Sequence, residues 1–398
     1  MPTTRLYFDD PLLFEFEARV LAHAEHAARP SLILDRSAFY PEGGGQSADG
    51  GLLAGLPVVD VQVDECGDVH HVLDGERPPV GASVRGRVDE ARRRRHMAEH
   101  TAQHILSRAL VEVAGAETLS ARLGESACTI DVDRGDVDER RVAQAEGLSW
   151  SIVDADVPIR AFFPDASELG ALPLRRAPKV EDGIRVVGIG DFDLTPCGGT
   201  HCTHSSQVGV LRVVGLERYK GGTRITFGAG ARARSLLTAE SELLRALSRS
   251  FSCGPAEVSA AVEKLQRELD AARDDLGRTR AELAAVRASE LDHAARARGE
   301  AHVVALIEGA SVELLRSVGA RITERPDAVA ILAGSSPEGL PLHVARGAAS
   351  SFDCGAFVKR LAARSGGRGG GRPERAEGRL PPGVDFSADA RAELESCR

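Results

Sequence analysis

His100-Thr101-Ala102-Gln103-His104 places two imidazoles four residues apart. That spacing puts both on one helix face, a turn from each other. The surrounding residues supply the helix: Ala102, Ile105, Leu106, Ala109, Leu110 and Val113 form an apolar stripe of helical period between Glu99 and Val113. Gly115 is its stop. Farther on, Cys197-Gly198-Gly199-Thr200-His201 offers a thiolate and a third imidazole. Gly198 and Gly199 let the backbone turn tightly there, and Pro196 stiffens the entrance. Two histidines at helical spacing are common on surfaces, so the first stretch alone leaves the matter open. With the second, His100, His104, Cys197 and His201 make a Cys/His3 set that suits tetrahedral Zn2+.

Outward from this centre the pattern changes. Residues 1–90 read as short strands, among them Ser31–Leu34, Val58–Val63 and Val69–Leu73, bounded by Gly and Pro. A small β-barrel or sandwich is expected. Residues 91–234 read as an α+β domain, with a strand at Cys128–Val132, a helix over Glu139–Asp154, and strands near Ile184–Val187 and Val210–Val214. Residues 235–299 are rich in Ala, Glu, Arg and Leu, with Leu265, Leu269, Leu276 and Leu283 at near-heptad spacing. This segment reads as a helical spacer that also pairs helices, with a homodimer through it or through the C-terminal domain as the expected assembly. Residues 300–398 read as a small α/β domain, with strands at His302–Leu306 and Ala328–Leu332 and a loosely ordered tail after Arg379. The fold class expected is α+β in four parts.

The 398 residues carry a formal charge of −9, which does not advertise a nucleic-acid binder in bulk. Local charge does, in the run Arg92-Arg93-Arg94-Arg95. Only four lysines occur among 50 basic residues, and arginine is the better fork for phosphate oxygens. The seven cysteines are odd in number and scattered; Cys66, Cys128, Cys253, Cys354 and Cys397 have no partner spacing. No signal peptide and no long apolar run is read, so a cytoplasmic, reduced protein without a membrane span is expected. Cys197 then reads as a ligand rather than half of a disulfide.

HTAQHIL at 100–106 and CGGTH at 197–201 resemble the editing domain of alanyl-tRNA synthetase and the free-standing AlaX-type alanyl-tRNA editing proteins. FYPEGGGQ at 39–46, with Asp49 and Gly51, is similar to that family's glycine-rich N-terminal signature. ERYKGGTRITF at 217–227 is similar to the segment that follows its CGGTH loop, and GGRGGGRPERAEG at 366–378 to the synthetase C-terminal domain, which also occurs in DHH-type phosphoesterases. These motifs stand in the family's order. No class II aminoacylation domain precedes them, so the resemblance implies a trans-acting, zinc-dependent deacylase acting on tRNA(Ala) mischarged with serine, or with glycine. Many relatives have Thr where Gln103 stands, so amino-acid recognition is expected to differ in detail.

A site that rejects alanine must sense the serine hydroxyl, because polar groups left unpaired by the smaller analogue are costly. Gln103, Gln46, Thr118 and Ser120 are the candidate catalytic or sensing residues. Arg92 to Arg95, Lys220 and Arg224 are candidates for gripping the acceptor end, and Arg368 and Arg372 for the outer corner of tRNA. A solvated charged face is the plainer reading of the arginine run, and a flexible linker that of the glycine-rich stretch. Two other functions compete: a Ser-tRNA(Thr) editor, whose family carries a similar His/His and Cys/His set, and a non-catalytic, zinc-stabilised tRNA-binding protein. A phosphoesterase is disfavoured because the Asp-His-His cluster of that family is absent.

Overall fold

The computed structural model describes residues 2–178 and 183–396; Cys397 lies outside them. The fold is mixed α+β, and the chain divides into two compact units, Met1–Ala246 and Leu247–Arg398. No helix among the described residues is long and apolar enough to cross a membrane.

The first unit opens with β1 (Thr4–Arg5), β2 (Glu15–His26), β3 (Arg29–Leu34), β4 (Arg36–Ser37), β5 (Gly51–Leu53), β6 (Leu56–Val63), β7 (Val69–Leu73) and β8 (Ser83–Val88). Six of these close into a barrel in the order β2-β3-β7-β6-β5-β8. Strand alternation decides what fills it: Phe16, Ala18 and Val20 of β2 point inward while Glu15, Glu17 and Arg19 face out. They meet Leu32, Leu34, Val61 and Val69 in one apolar core.

Helix α1 (Glu90–Ala114) follows directly. Asp89 caps it by accepting the Arg92 amide at 3.0 Å, and Gly115 closes it in the left-handed region at φ 57°. Around α1 come β9 (Thr118–Leu123), β10 (Cys128–Val132), α2 (Glu139–Asp154), β11 (Ile159–Phe162), α3 (Ala166–Ala171), β12 (Val186–Ile189), β13 (Asp193–Pro196), β14 (Leu211–Tyr219) and β15 (Gly222–Ala229). Four strands form a sheet in the order β14-β15-β10-β9 and three form another, β11-β12-β13. Ile105, Leu106, Ala109 and Leu110 of α1 bury against Ile130, Ile225 and Phe227 of the larger sheet. This burial holds the two histidines of α1 still. The strand near Ile184 begins two residues later than its sequence suggests, because pairing with β11 and β13 starts at Val186.

Helix α4 (Gly230–Phe251) leads into the second unit, which contains α5 (Val258–Ala297), β16 (His302–Ile307), α6 (Val312–Ile322), β17 (Val329–Gly334), β18 (Leu340–Arg346), α7 (Cys354–Arg364), β19 (Arg368–Gly371), β20 (Arg375–Leu380) and α8 (Phe386–Glu395). The sheet order is β16-β17-β18-β20-β19. Buried Ala284, Ala288 and Ala295 of α5 join one core, and Leu265, Leu269 and Leu276 upstream stay exposed.

One expectation fails here, and the plainer reading of the glycine-rich stretch fails with it. The tail after Arg379 is ordered: Asp385 caps α8, and Phe386 and Ala390 enter the core beside Phe357 and Leu361. The glycine-rich stretch is no linker but the edge strand β19, paired with β20. Its glycines allow α7 to approach, since a Cβ on Gly369 would lie 2.5 Å from Val358 Cγ1.

Candidate metal centre

Helix α1 presents His100 and His104, and the loop after β13 presents Cys197 and His201. One ligand atom from each lies within 4.8 Å of all the others. Cys197 Sγ is 3.4 Å from His100 Nε2 and 3.3 Å from His201 Nε2. Tetrahedral zinc with ordinary bond lengths requires N···S edges of about 3.5 Å. The donor set and its spacing therefore fit one zinc-sized ion. Gly199 makes the approach possible: a Cβ there would sit 2.1 Å from the His100 ring.

Each imidazole is oriented from behind. His100 Nδ1 lies 2.8 Å from Gln46 Oε1, His201 Nδ1 3.3 Å from Thr101 Oγ1, and His104 Nδ1 3.4 Å from Asp193 Oδ2. The last contact is long for a hydrogen bond, and its hold is mainly electrostatic. If each Nδ1 carries the proton, each Nε2 is left as the metal donor, the usual logic of the groups behind metal-binding histidines. Asp193 is itself fixed by Arg175 Nε at 2.7 Å and Thr195 Oγ1 at 2.9 Å. Arg185 donates to the Cys197 and Gly199 carbonyls at 3.1 and 2.8 Å, clamping the loop.

The electrostatics follow. Burial raises the Cys197 thiol, but His100, His201 and His104 together outweigh it and hold it well below the ordinary range. Burial lowers His201 to about 3, keeping its imidazole neutral. Burial opposes ionisation of Asp193, yet His104 and Arg175 keep its carboxyl below the usual carboxylate range.

The expected sensing residues separate into three places. Gln103 Nε2 and Thr118 Oγ1 each donate to Ser107 Oγ at 2.8 Å, so Gln103, Thr118 and Ser107 form one polar cluster beside His104 in sequence. Ser120 instead donates to Asp131 at 2.7 Å. A bulge at Leu119, between the Ser120–Asp131 and Thr118–Val132 pairs, separates it from Thr118. Gln46 is fully buried and commits its amide to His100 and Thr200. It stands behind the His100 ring and also lines the groove described below.

The arginine run is not one surface. Four successive helical residues span every face of a helix, so some must turn inward. Arg93 is 0% exposed, forms an ion pair with Asp49 and donates to the Pro11 carbonyl at 2.8 Å. It bolts the helix to the barrel and is no phosphate grip. Arg92 bonds the Ala48 carbonyl and Glu125, and Arg95 is half-buried. Only Arg94 is well exposed, over the Phe14 ring and paired with Glu90. Arg224 is also engaged, in a two-pronged bond to Asp131 at 2.7 and 3.0 Å and 3.6 Å over the Tyr219 ring. Lys220 is exposed at the β14–β15 turn.

Lys220, Arg224, Ser120 and Asp131 line a groove of about 1100 Å³. The four metal-binding candidates do not line it, and Gln46 stands between it and His100. In the second unit Arg368 and Arg372 are exposed, and Arg372 lines a cleft of about 850 Å³ with Arg316, Arg346 and Arg375. Thr101, Ser107, Arg175, Arg185 and Asp193 were not singled out from sequence. All but Ser107, which bonds Gln103 one helical turn away, act across a tertiary contact that no local spacing announces.

Residues 184–226, which include Cys197 and His201, match the family described as threonyl and alanyl tRNA synthetase second additional domain. The chain is 31% identical to the alanine–tRNA ligase of Archaeoglobus fulgidus over 96% of its own length and 43% of the relative. It is 33% identical to that of Halorubrum lacusprofundi, over 98% and 43%, and 34% identical to that of Halobacterium salinarum, over 98% and 44%. The chain thus spans less than half the length of these relatives. A solved structure, the C-Ala domain from Aquifex aeolicus alanyl-tRNA synthetase, aligns with 24% of this chain and 87% of its own at 19% identity and a TM-score of 0.22, too weak a superposition to argue from.

Proposed function

We propose, from its similarity to alanine–tRNA ligases along nearly its whole length, that the protein is an editing deacylase. Its substrate is tRNA(Ala) carrying serine, with glycine as a second mischarged amino acid. The reading is carried by the meeting of one thiolate and three imidazoles, each oriented at Nδ1, inside the unit that holds the matched domain.

The reaction adds water to the ester carbonyl and breaks its bond to the terminal ribose oxygen, which takes the proton. His100, His104, Cys197 and His201 would hold Zn2+, which supplies fixed positive charge and Lewis acidity. The chain's own polar groups do the selecting. Gln103, Ser107 and Thr118 offer hydroxyl and amide partners to a serine side chain, and alanine leaves them unpaired. Ser120, Lys220 and Arg224 lie along the groove, where Lys220 is placed to meet backbone phosphate. Arg368 and Arg372 would add phosphate contacts from the second unit, which raises affinity without reading sequence.

Dimerisation is proposed through α5. Val262, Leu269, Leu276 and Leu283 alternate with Leu265, Ala272, Thr279 and Val286 as the two seam positions of a heptad. Leu265, Leu269, Leu276, Leu283 and Val286 are 43–56% exposed, unusual for a finished monomer surface. Flanking the seam, Glu268, Asp275 and Glu282 occupy one edge and Arg273, Arg280 and Arg287 the other. A parallel pair sets the acidic edge against the basic edge of its twin, and an antiparallel pair would set like against like.

The test is hydrolysis of Ser-tRNA(Ala), Gly-tRNA(Ala), Ala-tRNA(Ala) and Ser-tRNA(Thr) by the full chain and by His104→Ala. Loss of serine from tRNA(Ala), with Ala-tRNA(Ala) spared and the variant inactive, is expected. Hydrolysis of Ser-tRNA(Thr) alone would favour the threonine system, which the matched domain's description also covers. Tight zinc with no hydrolysis would make the protein a tRNA-binding module.

A further inference from the structure

We propose that Phe163 and Phe8, with Arg5 and Arg185, form a stacking shelf for unpaired nucleobases at the 3′ end of an RNA. The inference rests on the reading that the substrate is an aminoacyl ester at such an end.

Phe163 directly follows β11, and its side chain is 53% exposed. An isolated exposed Phe needs no explanation, but this one begins a row. Its ring meets Phe8 edge-on at 5.7 Å between centroids, Phe8 meets Tyr7 at 4.8 Å, and Tyr7 meets Tyr40 at 5.3 Å. Tyr40 belongs to the glycine-rich loop that supplies Gln46. The row thus runs from solvent toward the metal centre. Cations are set into it: the Arg185 guanidinium lies 5.0 Å from the Phe8 centroid and that of Arg5 lies 5.7 Å away.

Arg185 links the shelf to the chemistry. The guanidinium near Phe8 also donates to the Cys197 and Gly199 carbonyls. It is only 6% exposed, and its Nε has no hydrogen-bond partner among the described residues. Aromatic rings interleaved with guanidinium groups suit single-stranded nucleic acid: bases stack on the rings whatever their identity, and phosphates meet the cations. An apolar protein segment would gain from the rings but would have to desolvate Arg5, which is still partly exposed. The chemistry therefore favours RNA over a protein partner.

The test uses a short, 5′-fluorescein-labelled, single-stranded RNA ending in CCA, with no amino acid attached, and fluorescence anisotropy with the full chain. Phe163→Ala should weaken binding roughly 5- to 150-fold, the range for loss of one base–aromatic stack. Phe163→Tyr should bind as the parent does, and a blunt RNA duplex should not distinguish the three proteins. Metal content and the thermal transition should be the same in all three, because Phe163 is largely outside the core. Equal affinity of Phe163→Ala and parent, equal loss on the duplex, or no binding of the probe by the parent would overturn the shelf. The probe carries no ester, so the two readings fail separately. Phe163-dependent binding without deacylation would sink editing and leave the shelf; deacylation with Phe163-independent binding would do the reverse.

Discussion

Arg93→Ala should destabilise the first unit severely while leaving any direct grip on RNA untouched. Arg93 and Asp49 are both 0% exposed at the side chain. Removing the guanidinium strands the Asp49 carboxylate, with Oδ2 still held by the Tyr40 amide at 2.7 Å and Oδ1 without a partner among the described residues. It also leaves the Pro11 and Ala38 carbonyls without their donor. Breaking a buried pair from one side costs about 3–5 kcal/mol. For a unit of this size, 1 kcal/mol moves the melting temperature by roughly 2–4 °C, so a fall of about 6–20 °C is expected. Trp150 is the only tryptophan, and its indole donates to the Leu211 carbonyl at 2.7 Å inside the first unit. Its fluorescence on heating therefore reports this unit alone. The double variant Arg93→Met with Asp49→Asn, which buries no charge, should recover most of the loss. A drop below about 2 °C for Arg93→Ala, less than 1 kcal/mol by the same conversion, would refute the bolt. So would a flattened salt dependence of tRNA binding without destabilisation.

Four other outcomes are expected. Gln46→Ala, which frees the back of His100, should weaken metal binding about 10- to 100-fold in a competition with a chromogenic chelator; unchanged affinity would remove Gln46 from the centre. Ser107→Ala should reduce the preference for Ser-tRNA(Ala) over Ala-tRNA(Ala) in kcat/KM by about tenfold, and an unchanged ratio would show that the hydroxyl is sensed elsewhere. Arg224 foremost, and Ser120, hold the Asp131 carboxyl below its ordinary range, with partial burial opposing them. Its native value lies below its unfolded one, so its stabilisation is complete at neutral pH and fades as pH falls through the acid carboxylate range. Urea melts of the parent and Asp131→Asn should therefore converge in acid, and a gap that widened there would reverse the sign. Reversing Glu268, Asp275 and Glu282 to Arg should dissociate the α5 dimer in sedimentation equilibrium, and reversing Arg273, Arg280 and Arg287 as well should restore it; a parent chain that sediments as a monomer would dispose of the zipper.

Local patterns are legible where a short stretch carries its own reason. The α2 bounds, Glu139–Asp154, follow from the Asp138 cap and the helical stripe behind it. Strand β10 is Cys128–Val132 because its alternation has the right period and length. His100 with His104, and Cys197 with His201, are legible for the same reason: each pair is a local spacing. What lies behind them is not. Gln46 and Asp193 reach the imidazoles from segments that no periodicity ties to α1. Charge in the arginine run is plain in the sequence, but burial is decided by the barrel that packs on one helix face. The twelve-residue strand β2 escapes notice because its second half, Leu-Ala-His-Ala-Glu-His, lacks β-branched residues. Leu380-Pro381-Pro382-Gly383 reads as the start of a loose tail, and the single Phe386 that anchors α8 gives no periodic signal.

Cys197 and His100 meet although 97 positions separate them. An ion held between them closes a loop of nearly a hundred residues, much as a disulfide would, but reversibly and at a strength set by the surroundings. Each tenfold rise in free ion above the dissociation constant adds about 1.4 kcal/mol to the first unit's stability. Supply of the ion would then set how readily the first unit unfolds.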